Sequence, residues 1–371
     1  MKRILIVNPW EGNIGPNTFL KNFFREIPEN INLTVTIIYP QSDNLSNEIE
    51  SLGYKIVFNK FIKLNHINNF FYKIIRRICG EIILCFIYIN LSLKNKYDIV
   101  LVNTEMYSFS LFFISITSSV FVVVHSLSFE SASRYSKMFF CIQKMFVFKY
   151  LAVSKEVKKA LKKVNITDRV EVTYNGVSLP GIWQKESSKF IRIISVIHPV
   201  PHKGAHLLIP VFEYLKNHNV KFEWTILGWF NKSADKNYEN SILEKIEKLN
   251  LGDQIKILGN IDNIHDWYKK SDLLVHPSLS ESFGFVIAEA MSYSIPVVAF
   301  NVGALKEIVI NEETGFLIPS FNSIEMAKKI EVLIYDRDLR YTLGRSSHRI
   351  VENKFLLKNT MIIVYKVLGI I

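Results

Sequence analysis

The sequence predicts an α/β protein built from two doubly wound, parallel-sheet domains, and three observations lead there. The chain has 371 residues, more than one domain of ~100–200 residues accounts for. Short, fully apolar, β-branched runs alternate with longer helical patterns through both halves, as in parallel sheets covered on both faces. The alternation is interrupted once, around Ser178–Lys189, where Asn175-Gly176, Pro180-Gly181 and Glu186-Ser187-Ser188 supply turn-like and polar residues. Two such series in tandem make two domains, expected at 1–178 and 179–357.

Taken in order, the first strand is Ile4–Val7. Lys2 and Arg3 precede it in the manner of a secretory leader, but the apolar run stops at Asn8-Pro9, short of the ~7–15 residues a leader needs. Strands follow at Thr34–Tyr39, Asp98–Asn103, Val120–His125, Leu151–Ser154 and Val170–Tyr174, with helical stretches between most of them. Met106–Val124 is 19 residues without a charge, close to the ~20 of a membrane helix. Six of those residues are Ser or Thr and the end of the run is β-branched, so it reads as a buried helix followed by a core strand. The second series is Ile191–Val196, Glu223–Leu227, Ile255–Leu258, Leu273–Val275, Val297–Phe300 and Gly315–Ile318.

Composition bounds the function. Apolar residues make up 49% of the chain and charged residues 21%, which excludes a disordered chain; the mean hydropathy, +0.16, is oily for a soluble enzyme. Cys79, Cys85 and Cys141 form no CxxC pair, excluding a zinc ribbon or a disulfide framework and fitting a reducing compartment. They are expected to fill buried apolar positions. Of the net charge of +11, residues 1–180 hold +9. Within them Asn59–Gly80 reads as an amphipathic helix, with Leu64, Ile67, Phe71, Ile74 and Ile78 at helical spacing and Lys60, Lys63, Lys73, Arg76 and Arg77 beside them. Two readings stand together: contact with an anionic inner-membrane surface, or a core-facing helix with a solvated basic side. The stripe Lys155, Lys158, Lys159, Lys162 and Lys163 reads as plain solvation. No motif that reads bases accompanies the charge, so nucleic acid is not expected as a partner.

The chemistry concentrates in Asp272–Ser320. Glu281 lies in the loop after a strand, where open α/β sheets bind ligands. Ser282 and Phe283 precede Gly284, which permits close approach to the backbone. A helix is expected to start there, with free N–H groups available to an anion. Glu289 is expected about two turns into that helix, on the face of Phe285. Carboxylates accept hydrogen bonds from paired hydroxyls, which suits sugars and riboses.

Glu281 and Glu289 resemble the E-x7-E motif of the retaining GT-B glycosyltransferases of family 4, the glycosyl transferases group 1. The likeness extends over almost the whole chain. Asn8-Pro9-Trp10-Glu11-Gly12-Asn13-Ile14-Gly15 resembles the family's N-terminal glycine loop. His125 ends a strand like its acceptor-side histidine. Val153-Ser154 and Tyr174-Asn175-Gly176-Val177 resemble the stretch before the interdomain linker, and Lys203-Gly204 the family's Lys-Gly.

The resemblance implies two Rossmann-like domains facing across a cleft, the first binding the acceptor and the second a nucleotide diphosphate sugar. A last helix, 358–371, would return to the first domain. Glu289 would hold the ribose hydroxyls and Glu281 the donor sugar. The Ser282–Phe285 segment and Lys203 would neutralise the diphosphate, Gly15 would approach the phosphates, and His125 would lie near sugar and acceptor. Catalysis would retain configuration and need neither metal nor cofactor, with the leaving phosphate accepting the acceptor's proton. The acceptor would be a glycan or lipid-linked glycan, and the enzyme cytoplasmic, or peripheral on the inner membrane. Asp336-Arg337-Asp338 resembles a metal-binding DxD, but its place between two helical stretches reads as an N-cap.

One departure stands out. The family usually has Arg five residues before the Lys, and here that position is His198, a phosphate donor only when charged. Ala304 and Ser294 are smaller departures. Two other classes stay open: an epimerase or phosphorylase on the same fold, and a partner subunit without turnover.

Overall fold

The computed structural model describes residues 2–12, 14–62, 70–126, 140–181, 188–229, 235–259, 261, 263–319 and 321–371, without the side chains of 61 and 70–77. Asn13, Glu186-Ser187 and most of the side chains that define the Asn59–Gly80 pattern lie outside the described residues. The chain divides into two compact units, Met1–Gly176 with Leu357–Ile371, and Val177–Leu356.

The first unit runs β1 (Lys2–Val7), α1 (Gly15–Arg25), β2 (Leu33–Tyr39), α2 (Asn44–Ser51), β3 (Lys55–Phe58), α3 (Phe70–Lys94), β4 (Ile99–Val102), α4 (Ser110–Ser115), β5 (Ser119–Val124), β6 (Lys149–Ala152), α5 (Lys155–Lys163) and β7 (Val170–Val172). Its sheet is parallel, in the order β3-β2-β1-β4-β5-β6-β7. The direction of winding reverses between β1 and β4, whose apolar residues Ile4–Val7 and Ile99–Val102 are all buried.

The second unit runs β8 (Ile191–Val196), α6 (Leu208–Asn217), β9 (Phe222–Leu227), α7 (Lys236–Lys248), β10 (Ile255–Leu258), α8 (Ile264–Lys270), β11 (Leu273–His276), α9 (Phe285–Ser292), β12 (Val297–Phe300), α10 (Leu305–Ile308), β13 (Gly315–Ile318), α11 (Ser323–Tyr335) and α12 (Arg337–Ile350). This parallel sheet has the order β10-β9-β8-β11-β12-β13 and reverses between β8 and β11. A polar stitch crosses that reversal inside the core. The buried Trp224 indole on β9 donates to Ser195 Oγ on β8 at 3.0 Å, and that hydroxyl donates to the Val275 carbonyl on β11 at 2.7 Å. Each buried polar group thereby finds its partner, as a low-dielectric interior requires. The final helix, α13 (Leu357–Val367), belongs to the first unit. There Tyr365 donates to the Phe23 carbonyl at 2.6 Å and packs edge-on against its ring.

Several local expectations need correction. β3 carries an apolar run of only three residues, Ile56–Phe58; it is an edge strand, partly exposed along its whole length, so the four-residue signature of a buried strand is absent from it. The uncharged run does hold a helix, but α4 is buried on one side only: Leu111 and Ile114 face inward while Phe112 and Phe113 are 45% and 48% exposed. Cys79 is exposed, and Cys85 and Cys141 are half-buried rather than core positions. Other expectations hold: Asp336 is the N-cap expected there, accepting from the Leu339 N–H at 2.8 Å at the start of α12. On α5 the inward side is Val157, Ala160 and Leu161, and the lysines lie to the outside.

Candidate functional site

In open α/β sheets, ligands bind beyond the carboxyl ends of the strands where the order reverses. In the second unit that place is the end of β8 and β11, and the loops after these two strands carry Lys203 and Glu281. After β8 the chain makes a 3-10 turn, Pro201–Lys203, closed by Gly204 in the left-handed region at φ +73°. A Cβ at Gly204 would lie 2.0 Å from the Pro277 carbonyl oxygen, so only glycine lets this turn lie against the loop after β11. The Leu279 N–H donates to the His202 carbonyl at 2.9 Å, which fastens the two loops.

The result is a compact charge cluster. Lys203 Nζ donates to Glu281 Oε1 at 2.5 Å, and His276 Nε2 donates to the same oxygen at 3.0 Å. Burial pushes the Glu281 carboxyl up, but the Lys203 ammonium and the His276 hydrogen bond outweigh it and hold the group well below the usual carboxylate range. The backbone of Glu281 is fixed from the other side. Gly303 sits at φ +52°, where a Cβ would come within 2.1 Å of the Glu281 carbonyl oxygen, and the Ala304 N–H donates to that oxygen at 2.9 Å.

Gly284, at φ +106°, is the N-cap of α9, so the helix starts at Phe285, one residue later than the sequence suggests. The N–H groups of Ile287 and Ala288 donate to the Gly284 carbonyl. Those of Phe285 and Val286 therefore precede the helical ladder and form the electropositive end of the helix. The Phe283 ring is buried between those of Phe285 and Phe355, which anchors the turn, and Ser282 is half-buried between it and Glu281.

Glu289 lies one turn after Phe285, not two. It accepts from the hydroxyl of the buried Tyr268 at 3.0 Å. Burial pushes its carboxyl up to about 7, with the Tyr268 hydrogen bond acting the other way. The two glutamates thus have opposed electrostatics, one held as a carboxylate and the other titrating near neutrality. His198 lies just beyond β8, where burial first and the Lys203 charge second lower its pKa, while a hydrogen bond to the Gly228 backbone opposes them. Its ring is therefore uncharged at neutral pH.

The reversal in the first unit is built from amides. After β1 and β4 come Asn8 and Asn103, both fully buried. Asn103 Nδ2 donates to Asn8 Oδ1 at 2.7 Å and to the Pro16 carbonyl at 2.9 Å. Asn8 Nδ2 donates to Asn17 Oδ1 on α1 at 3.0 Å, and Asn17 donates to the Gly12 carbonyl at 2.8 Å. His125, just past β5, donates from Nε2 to Asn103 Oδ1 at 2.6 Å. Since that amide oxygen can only accept, Nε2 carries the proton and Nδ1 is the basic nitrogen. Burial lowers the His125 pKa to about 3, so the ring is neutral. Gly15 opens α1 with Pro16 behind it, within the loop these amides hold.

Of the residues singled out by sequence, Lys203 and Glu281 are in direct contact, and Ser282, Phe283, Gly284 and Phe285 continue the same turn. Glu289 follows on α9 without bonding Glu281, and His198 feels the Lys203 charge. His125 and Gly15 belong to the first unit, tied to one amide network. Sequence reasoning missed His276, Tyr268, Asn8, Asn17 and Asn103. His276 and Asn103 carried a usable signal: each is a polar residue at the carboxyl end of an apolar strand beside the reversal.

Residues 183–350 match the sequence profile of the family described as Glycosyl transferases group 1. An uncharacterized glycosyltransferase of Methanocaldococcus jannaschii is 34% identical over 200 residues, 53% of each chain. The capsular polysaccharide biosynthesis glycosyltransferase CapM of Staphylococcus aureus is 33% identical over 159 residues, 42% of this chain and 40% of CapM. The chain thus spans about half the length, or less, of these curated relatives. Among solved structures, Anabaena HepE in complex with UDP and glucose superposes with a TM-score of 0.78 at 18% identity, over 100% of both chains. The profile match ties residues 183–350, a little under half of the chain, to the glycosyl transferases group 1 family, and the two-sheet architecture is the GT-B fold.

Proposed function

We propose that the chain transfers a sugar from a nucleotide diphosphate sugar to a glycan or lipid-linked glycan, with retention of configuration and without a metal. The setting is bacterial surface-polysaccharide assembly (capsule, O-antigen or lipopolysaccharide) in the cytoplasm or at the cytoplasmic face of the inner membrane. The observation that carries the reading is the Lys203–Glu281–His276 cluster at the reversal of the second sheet, next to the first-turn amides of α9. The likeness to CapM supports the capsule setting, and the UDP and glucose bound by HepE support the donor class.

Breaking the bond between C1 and the diphosphate builds positive charge on the sugar and negative charge on the leaving oxygen. Fixed donors at that oxygen stabilise the transition state more than the ground state. Lys203 and the amides at the start of α9 are such donors. Glu281 and His276 keep the ammonium in place before the donor arrives, so little reorganisation remains for the reaction itself. Glu289, in its ionised form, accepts from the ribose hydroxyls. His198 offers its second nitrogen to a phosphate only when protonated. Activity that depends on it falls as pH rises through a value below the ordinary histidine pKa, and His198→Ala removes that limb.

The test is release of nucleoside diphosphate from a panel of nucleotide sugars, with and without candidate acceptors, and nuclear magnetic resonance of the product anomer. Acceptor-dependent release with the donor's configuration kept is expected. An inverted product refutes retention. Conversion of a donor without any acceptor replaces transfer with epimerisation.

A further inference from the structure

Glu289 is backed by two tyrosines and a histidine from α8 and the end of α9. α8 starts at Asn263, whose side chain accepts from the His265 N–H at 3.1 Å. His265 and Tyr268 are three residues apart, so they share one side of this helix. That side meets α9. Tyr268 donates to Glu289 Oε2 at 3.0 Å, and the Tyr293 hydroxyl, just past α9, lies 3.0 Å from His265 Nδ1. The Tyr268 and Tyr293 rings pack 5.6 Å apart between centroids, with the His265 ring 6.4 and 5.9 Å from them. The Val286 carbonyl, 3.5 Å from the Tyr268 hydroxyl, is its more distant acceptor.

Tyr268 is buried and Glu289 half-buried. Among the described residues the Tyr268 hydroxyl is the one hydrogen-bond partner of this carboxylate, on Oε2, and none holds Oε1. Burial first and the Glu289 charge second hold the Tyr268 hydroxyl well above the usual phenol range, so it keeps its proton and always donates. That bond fixes the plane of the carboxylate, takes one of its four lone-pair sites and leaves Oε1 whole for a ligand. We propose that Tyr268 is a positioning residue: by holding Glu289 Oε2 it aims Oε1 at the paired 2′- and 3′-hydroxyls of a ribose, and so makes the site select ribonucleoside over 2′-deoxyribonucleoside diphosphates. The inference rests on the ribose role proposed above for Glu289 and adds to it the class of nucleotide. Removing only the Tyr268 hydroxyl keeps the ring and its packing, but frees the carboxylate to turn and removes the bond that favours its charged form.

The experiment is calorimetric titration of ADP, CDP, GDP and UDP, each beside its 2′-deoxy counterpart, into the native chain, Tyr268→Phe and Tyr293→Phe, with thermal melting of all three proteins. For the base it accepts, the native chain is expected to bind the ribose form roughly tenfold more tightly or better, the worth of a hydroxyl bonded to a charged acceptor. Tyr268→Phe should still bind the deoxy form and should lose at least about threefold of that preference. A packing defect alone would weaken both forms alike. Tyr293→Phe, whose missing hydroxyl bonds His265, should keep the preference. Equal binding of the two forms by the native chain overturns the proposal and leaves the donor reading standing. So does an unchanged preference in Tyr268→Phe, or an equal loss in Tyr293→Phe. Failure of every nucleotide to bind the native chain overturns the donor reading itself, and the proposal with it.

Discussion

Replacing Glu289 with glutamine should remove a pH-dependent weakness from the second unit. The folded protein holds this carboxyl at about 7 against an ordinary 4.5. Between those two values the folded chain keeps a proton that the unfolded chain has lost. Stability from this group is therefore full at low pH, declines as pH rises from about 4.5 towards 7, and is gone above that. At ~1.4 kcal/mol per pH unit, the whole effect is up to about 3 kcal/mol. Glutamine fills the same volume and still accepts from Tyr268, but has no charge to bury. Urea unfolding of both proteins at pH 4.5 and pH 8 isolates the term, because all other titrating groups cancel in the difference. Relative to the native chain, Glu289→Gln should gain up to about 3 kcal/mol between the two pH values. It should also lose nucleotide-sugar affinity, since an amide cannot replace the carboxylate as acceptor for two hydroxyls. A stability difference that does not change with pH would refute the burial argument, and unaltered donor affinity would refute the ribose role.

Three further outcomes follow from the geometry. Gly303→Ala should cost about 1–3 kcal/mol, because a side chain must adopt a left-handed backbone against the Glu281 carbonyl; thermal melting measures it, and an unchanged melting temperature contradicts the close approach. Asn103→Leu strips His125 Nε2 and Asn8 Oδ1 of buried partners, at about 1–3 kcal/mol each. Nitrogen-15 spectra should show a single Nε2–H tautomer of His125 in the native chain and a mixture in the variant; one fixed tautomer in both would show that the network does not set it. Gly204→Ala should displace the Lys203 turn from Pro277, lowering donor affinity together with stability.

Much of this architecture was legible because buried parallel strands are written as unbroken apolar runs. β12 has the limits its run indicates and all four of its residues are buried, and β8, β10 and β13 match as well although Arg192 and Lys256 interrupt β8 and β10. β3 escaped because an edge strand facing solvent needs no such run. The half-exposed α4 escaped for the opposite reason: its sequence is as apolar as a core helix, and only the fold reveals that Phe112 and Phe113 stay about half exposed. At the site, Glu281 was legible from its place in the loop after an apolar strand, and Lys203 from the likeness of Lys203-Gly204 to the family's Lys-Gly. Their direct contact was not, because it depends on two glycines, Gly204 and Gly303, whose necessity lies in carbonyls 73 and 22 residues away. The Asn8–Asn17–Asn103 network was invisible for a similar reason: three asparagines scattered over 96 positions acquire meaning only when β1 and β4 become neighbours.

Calorimetric titration of a nucleotide-sugar panel into the native chain and Lys203→Met tests the donor site most directly. One nucleotide sugar should bind the native chain, with affinity reduced at least roughly tenfold in the variant by loss of a charge-assisted phosphate contact. Binding of equal strength to both proteins, or no binding of any donor to the native chain, would contradict the account.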